Sequence, residues 1–268
     1  KSWRVGAKNG VLINAGGFSH NQAMRDQYQP GTQSDWSMTA EGDTGEMIQE
    51  MMGHGAAIAQ MDQFVGNQIT LPPGHEKHWM KAVVQGSTAA PHAILVDQTG
   101  QRFMNESGSY MAYCQGIIDR NKTAPAIPSY AIMDAQFMKK YMLGNAMPGK
   151  KPKEWSESGY LKQSDTIEGL AAQLKIEPAA LRATVDRFNG FCAKNVDEDF
   201  HRGERAYDKW LGDAYHPKNA SLGAIEQGPF YAVEVLPGDV GTYGGVVTDA
   251  DARVLRADGS IIEGLYAT

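Results

Sequence analysis

Near its start the chain reads NGVLINAGGF, an apolar run that closes on Gly16 and Gly17. Near its end it reads GTYGGVVTDADARVLRADGSIIEGLYAT, from Gly241 to Thr268. A short apolar run ending in paired glycines is the pattern of a buried strand that leads into a close approach of backbones. The C-terminal stretch reads as a glycine turn, a short strand, a hairpin and another strand. Neither end has a helical pattern, and the helical patterns all lie between them. The ends therefore read as two feet of one strand-built region, with a larger region inserted between them.

The inserted region mixes strands and helices without strict alternation, which points to an α+β fold rather than a doubly wound sheet. EGDTGEMIQEMMGHGAAI predicts a helix opened by an Asp43–Glu46 capping box and ended by Gly53 and Gly55, with Met47, Ile48, Met51 and Met52 facing in. HAILVDQTGQRFMNES predicts a hairpin, Ile94–Val96 out and Arg102–Met104 back. SYAIMDAQFMKKYM predicts a strand running into a helix, and PGKKPKEWSESG a polar loop. A further helix spans Asp165 to Lys175 with Asp165 and Glu168 as its capping box, and the next starts at Pro178 and buries Leu181, Val185, Phe188 and Cys192. NVDEDFHRGERAYDKWLGD reads as a charged surface loop with a short helix.

A net charge of -6 argues against a nucleic-acid partner, whose phosphates require a basic face. No run approaches the roughly 18 apolar residues of a membrane span. The two cysteines, Cys114 and Cys192, lie in apolar surroundings far apart in sequence, so they read as reduced core residues of a cytoplasmic protein. His75 and His78 have no third ligand at useful spacing, and no metal site is expected.

The succession GVLINAGGF then HN, EGDTGEMI, ILVDQTGQRFMNES, GPFYAVEV and GTYGGVVTDADARVLRADGSIIEGLYAT resembles the fumarate reductase and 3-ketosteroid dehydrogenase flavoprotein superfamily, in order and over nearly the whole chain. The resemblance implies a Rossmann-type FAD-binding domain interrupted by a substrate-capping domain. Residues 1–17 would be a remnant of the FAD-binding domain, 18–231 the capping and catalytic domain, and 232–268 the return into the FAD-binding domain. The G-x-G-x-x-G fingerprint of such domains is absent from this chain, and the sequence stops where a further flavin-reaching segment would follow. The complete protein would then bind FAD, whereas the 268 residues alone would be colourless and inactive.

Within the superfamily, the dicarboxylate branch holds its substrate with histidines and arginines. Its histidine before the final Gly-Gly turn is replaced here by Gly241, and its His-Pro-Thr is absent. FMNESGSYMAY instead resembles the steroid branch, in which a tyrosine of the capping domain removes a proton beside a ring ketone while flavin takes a hydride. By position that tyrosine is Tyr110, with Tyr113 its nearest rival and Tyr243 a weaker one; a domain-edge packing role is the alternative for each. A flat apolar substrate would need walls such as Tyr113, Met111, Phe137 and Tyr141, with Met104 beside them. Ala15, Gly16, Gly17, Gly244 and Gly245 would approach the FAD, or else form tight bends. The reading is a dehydrogenase of 3-ketosteroids or similar cyclic ketones that passes electrons to an external acceptor. The alternatives are a fumarate reductase-like enzyme of unsaturated acids and an inactive isolated domain.

Overall fold

The computed structural model describes residues 4–76 and 80–268, and His78 lies outside them. The chain runs through β1 (Val11–Ile13), α1 (Gln22–Tyr28), α2 (Glu46–Gly53), β2 (Ile58–Ala59), β3 (Phe64–Thr70), β4 (Ala82–Val83) and α3 (Gln85–Ala89). It continues through β5 (Ala93–Val96), α4 (Tyr110–Asn121), β6 (Ser129–Met133), α5 (Ala135–Lys140), α6 (Lys153–Glu157), β7 (Lys162–Ser164), α7 (Ile167–Leu174) and α8 (Pro178–Lys194). The last elements are α9 (Ala206–Leu211), β8 (Phe230–Thr242), β9 (Gly245–Val246), β10 (Arg253–Leu255) and β11 (Ile261–Ala267). The fold is mixed α and β with several sheets.

The chain forms two compact units: residues 1–65 with 239–268, and residues 66–238. Residues 18–65 pack with the two ends, and residues 232–238 fall in the second unit. The cause is apolar packing: Met51 of α2 is buried with Val254 of β10 and Ala267 of β11, while Phe18, Met24, Ile48 and Met61 form a second small core.

In the first unit β1 pairs in parallel with β11, which forms a hairpin with β10. β1 is the edge strand, and Val11 and Leu12 are 48% and 60% exposed, so the buried strand expected from the sequence is an exposed one. The capping box expected at Asp43 is also replaced. Gly45, at φ +75°, precedes α2 without a side-chain cap, and Asp43 instead supports the opposite loop, its Oδ2 accepting the Ser19 N–H at 3.4 Å and its carbonyl the His20 N–H at 2.9 Å.

The second unit is built on the sheet β4-β3-β8-β6-β5, with β7 also on β8. Its central strands are apolar on both sides because both sides are covered. Leu95, Ala131, Met133, Tyr231 and Val233 face one core with Tyr113 and Phe137; Ile94, Val96, Ile132 and Ala232 face another with Leu170, Leu181, Val185 and Phe188 of α7 and α8. Pro178 opens α8 as the sequence predicts. For α7 the cap is Thr166, whose hydroxyl accepts the Gly169 N–H at 3.0 Å, and Glu168 pairs with Arg182 instead.

The return strand expected at Arg102–Met104 does not form. β5 pairs with β6, and the Asp97 side chain holds a local turn by accepting the N–H groups of Thr99 and Gln101. The polar loop expected after Pro148 contains α6, whose Trp155 is buried. Cys114 and Cys192 are both free thiols, and burial pushes that of Cys192 up to about 12.

Candidate functional site

A cleft of about 380 Å³ lies within the first unit. Its walls include Ala15, Gly16 and Gly17 from the loop after β1 and Gly244 and Gly245 from the turn after β8, so all five residues singled out from sequence meet at one place. Side chains of Ile13, Met47, Ile48 and Met51 supply apolar surface.

Two of the glycines, Gly17 and Gly244, have no room for a side chain. A Cβ on Gly17 would stand 2.0 Å from Thr242 Oγ1, and one on Gly244 would stand 2.4 Å from Met61 Cα. At Gly245 the same position is open. The N–H groups of Ala15, Gly16 and Gly17 donate to no described residue. Three successive free donors beside apolar surface suit a flat ring with acceptor atoms along its edge, or an anionic group. The donor set therefore fits part of a flavin nucleotide. Gly241, where the dicarboxylate branch carries histidine, has φ +151°, a backbone setting that favours glycine.

In the second unit Tyr110 is the first residue of α4 and is 38% exposed. Ser109 caps the helix, its hydroxyl accepting the Ala112 N–H at 3.3 Å. The preceding MNES segment is held from below. Asn105 Oδ1 accepts the Ser107 N–H at 2.8 Å, and its amide donates to the Phe200 carbonyl at 3.3 Å and Asp208 Oδ2 at 3.1 Å. Glu106 is fully buried and accepts two bonds from Arg102, at 2.7 and 2.8 Å, one from Arg202 at 3.2 Å, and one from the Leu95 N–H at 3.2 Å. Burial alone would raise its carboxyl pKa, but the two guanidiniums outweigh burial and hold it below the ordinary range. The sequence reading missed this network, in which Arg202 comes from a charged stretch 96 residues away from Glu106.

The other residues named from sequence separate. Tyr113 is 1% exposed and Phe137 wholly buried, so both are core residues that offer a substrate no surface. Burial also pushes the Tyr113 phenol up, which makes it a poor base. Met111 is the second residue of α4 and partly exposed. Tyr141 lines a second groove of about 430 Å³ with Val83, Ala90, Met142, Leu211 and Asp213. Its hydroxyl donates to Asp213 Oδ2 at 2.8 Å. Despite partial burial, Lys140 and Tyr141 hold Asp213 down at about 2. Among the described residues no three His, Cys, Asp or Glu side chains are grouped to hold a metal, and no helix is long and apolar enough to cross a membrane.

Strand-bordered glycines thus line a cleft in the first unit, and an exposed tyrosine opens a helix of the second. The chain belongs to the FAD binding domain family, whose model matches residues 1–268. It is 39% identical to a 3-oxosteroid 1-dehydrogenase of Mycolicibacterium smegmatis, over 98% of this chain and 47% of that protein. It is 34% identical to a 4-oxocyclohexanecarboxylate 2-dehydrogenase of Sinomonas cyclohexanicum, over 98% of this chain and 46% of that protein. A solved 3-ketosteroid delta1-dehydrogenase from Sterolibacterium denitrificans, in complex with 1,4-androstadiene-3,17-dione, matches with a TM-score of 0.93 at 33% identity, over 100% of this chain and 48% of that one. The chain thus spans about half the length of the relatives it matches.

Proposed function

We propose that this chain is part of an FAD-dependent dehydrogenase that forms a carbon–carbon double bond beside a ring ketone, in a 3-ketosteroid or a smaller cyclic ketone. The observation that carries the reading is the convergence of Ala15–Gly17 and Gly244–Gly245 on one cleft, where the N–H groups of Ala15, Gly16 and Gly17 donate to no described residue. The names of the 3-oxosteroid and 4-oxocyclohexanecarboxylate relatives support the substrate class, since both are dehydrogenases of ring ketones. In this reading the first unit carries cofactor and the second carries substrate.

Bound FAD supplies the acceptor for the hydride that leaves the substrate. Tyr110 takes the proton from the carbon beside the carbonyl. The free N–H groups of Ala15, Gly16 and Gly17 orient the cofactor by donating to its acceptor atoms. Tyr110 is suited to its part by its place, since it opens a twelve-residue helix with its side chain exposed. Met111 and Tyr141 provide apolar surface for the ring system. An external electron acceptor completes the cycle.

The test is anaerobic mixing of the full-length, flavin-loaded protein with a 3-ketosteroid or a cyclohexanone carboxylate. The expected result is loss of the oxidised flavin band together with a product lighter by one hydrogen molecule and absorbing as a conjugated enone. Electron exchange with fumarate, and with no ring ketone, would overturn the reading.

A further inference from the structure

Arg25 and Asp239 are both buried and form an ion pair within the first unit. Arg25 Nε also donates to the Ser19 carbonyl at 2.6 Å, and Nη1 donates to Thr32 Oγ1 at 3.1 Å. Asp239 Oδ1 accepts the Ser37 hydroxyl at 2.9 Å and the Gly241 N–H at 3.2 Å. Ser19 follows Gly17 by two residues, and Gly241 precedes Gly244 by three. One guanidinium and its carboxylate therefore tie the segment behind one wall of the cleft to the segment that leads into the other.

A buried ion pair is a weak source of stability, because desolvating two charges offsets their attraction; an apolar pair of similar volume often does as well. What the pair does supply is direction. Arg25 reaches the Ser19 carbonyl behind one wall and Asp239 the Gly241 N–H ahead of the other, so the pair links the two wall segments directly. We propose that Arg25 and Asp239, with Ser37, are positioning residues that set the spacing of the Ala15–Gly17 and Gly244–Gly245 walls and thereby the affinity and electronic environment of the flavin. This inference rests on the reading of the cleft as a flavin site.

The experiment uses the full-length protein, stripped of flavin and titrated with FAD by fluorescence, with the visible spectrum recorded at saturation. The double variant Arg25→Met with Asp239→Leu removes the pair without stranding a charge, so it should unfold near the wild-type temperature yet bind FAD at least about tenfold more weakly with a shifted flavin band. Ser37→Ala removes one tie and does not threaten the fold; it should weaken FAD binding by about threefold to tenfold, with a smaller band shift. Should the double variant fail to fold, Ser37→Ala decides. Gly245→Leu, which projects a side chain into the cleft, should abolish FAD binding. If Gly245→Leu does so while the other variants keep wild-type affinity and spectrum, the positioning role is overturned and the flavin site stands. If Gly245→Leu also binds FAD normally, the cleft is not the flavin site and both readings fall.

Discussion

The hydroxyl of Thr242 accepts the backbone N–H of Phe18 at 3.2 Å, although the two residues stand 224 positions apart in sequence. That bond brings the glycine loop after β1 against the glycine turn after β8. It is also why Gly17 has no room for a side chain: the Cβ position lies 2.0 Å from the same oxygen.

Gly17→Ala should therefore push Thr242 away and open the cleft. The expected cost is about 1–3 kcal/mol of unfolding free energy, the usual size of overpacking, together with weaker FAD binding. Thr242→Ala added to Gly17→Ala should recover much of the stability. Denaturant unfolding of the three proteins checks this, and a Gly17→Ala protein as stable as wild type would contradict the contact.

Glu106 gives a pH prediction. Its carboxyl titrates lower in the folded protein than in the unfolded chain, whose value is about 4.3. A depressed pKa contributes stability in full above the unfolded value, and that stability is lost as the pH falls from there through the folded value. Glu106→Gln should cost about 3–5 kcal/mol at neutral pH, since Arg102 and Arg202 would be left buried beside a neutral group. It should also flatten the acid limb of the stability curve. Equal acid limbs in variant and wild type would show that the network does not titrate as a unit with folding.

Much of this arrangement could be read from sequence, for identifiable reasons. The glycine pairs at 16–17 and 244–245 were legible because paired glycines after apolar runs have few other uses. Pro178 marked the start of α8 because its fixed φ and missing N–H suit only a first helical turn. Asp43 and Asp165 misled because an acidic residue three before a glutamate fits a capping box locally, while tertiary contacts drew Asp43 to the Ser19 loop and gave the α7 cap to Thr166. Tyr113 and Phe137 were indistinguishable in sequence from pocket walls, since aromatic residues serve cores and ligands alike; only burial separates them from Tyr110. The partners of Glu106 were not legible, because Arg202 comes from a segment 96 residues away.

Tyr141→Phe tests the second groove. Loss of the hydroxyl removes a bond to Asp213 but leaves the ring and the Lys140 contact. Because Phe keeps the apolar ring surface, KM and kcat for a ring-ketone substrate should both stay within about twofold of wild type, and a severalfold rise in KM would show that the hydroxyl itself takes part in binding. A fall in kcat with KM constant would place Tyr141 in the chemical step instead.

The central claim is that Tyr110 removes the proton, and the most direct measurement is steady-state kinetics of Tyr110→Phe in the full-length enzyme on a 3-ketosteroid with an artificial electron acceptor. Only the hydroxyl of a partly exposed residue is lost, so fold and flavin content should be unchanged. Turnover should fall by about a hundredfold or more, the usual size of a lost general base, with KM changing little. Tyr113→Phe, altered in the core, should leave turnover within a few-fold of wild type. Near-normal turnover in Tyr110→Phe would contradict the assignment, and a crippled Tyr113→Phe beside it would move the base to the buried tyrosine.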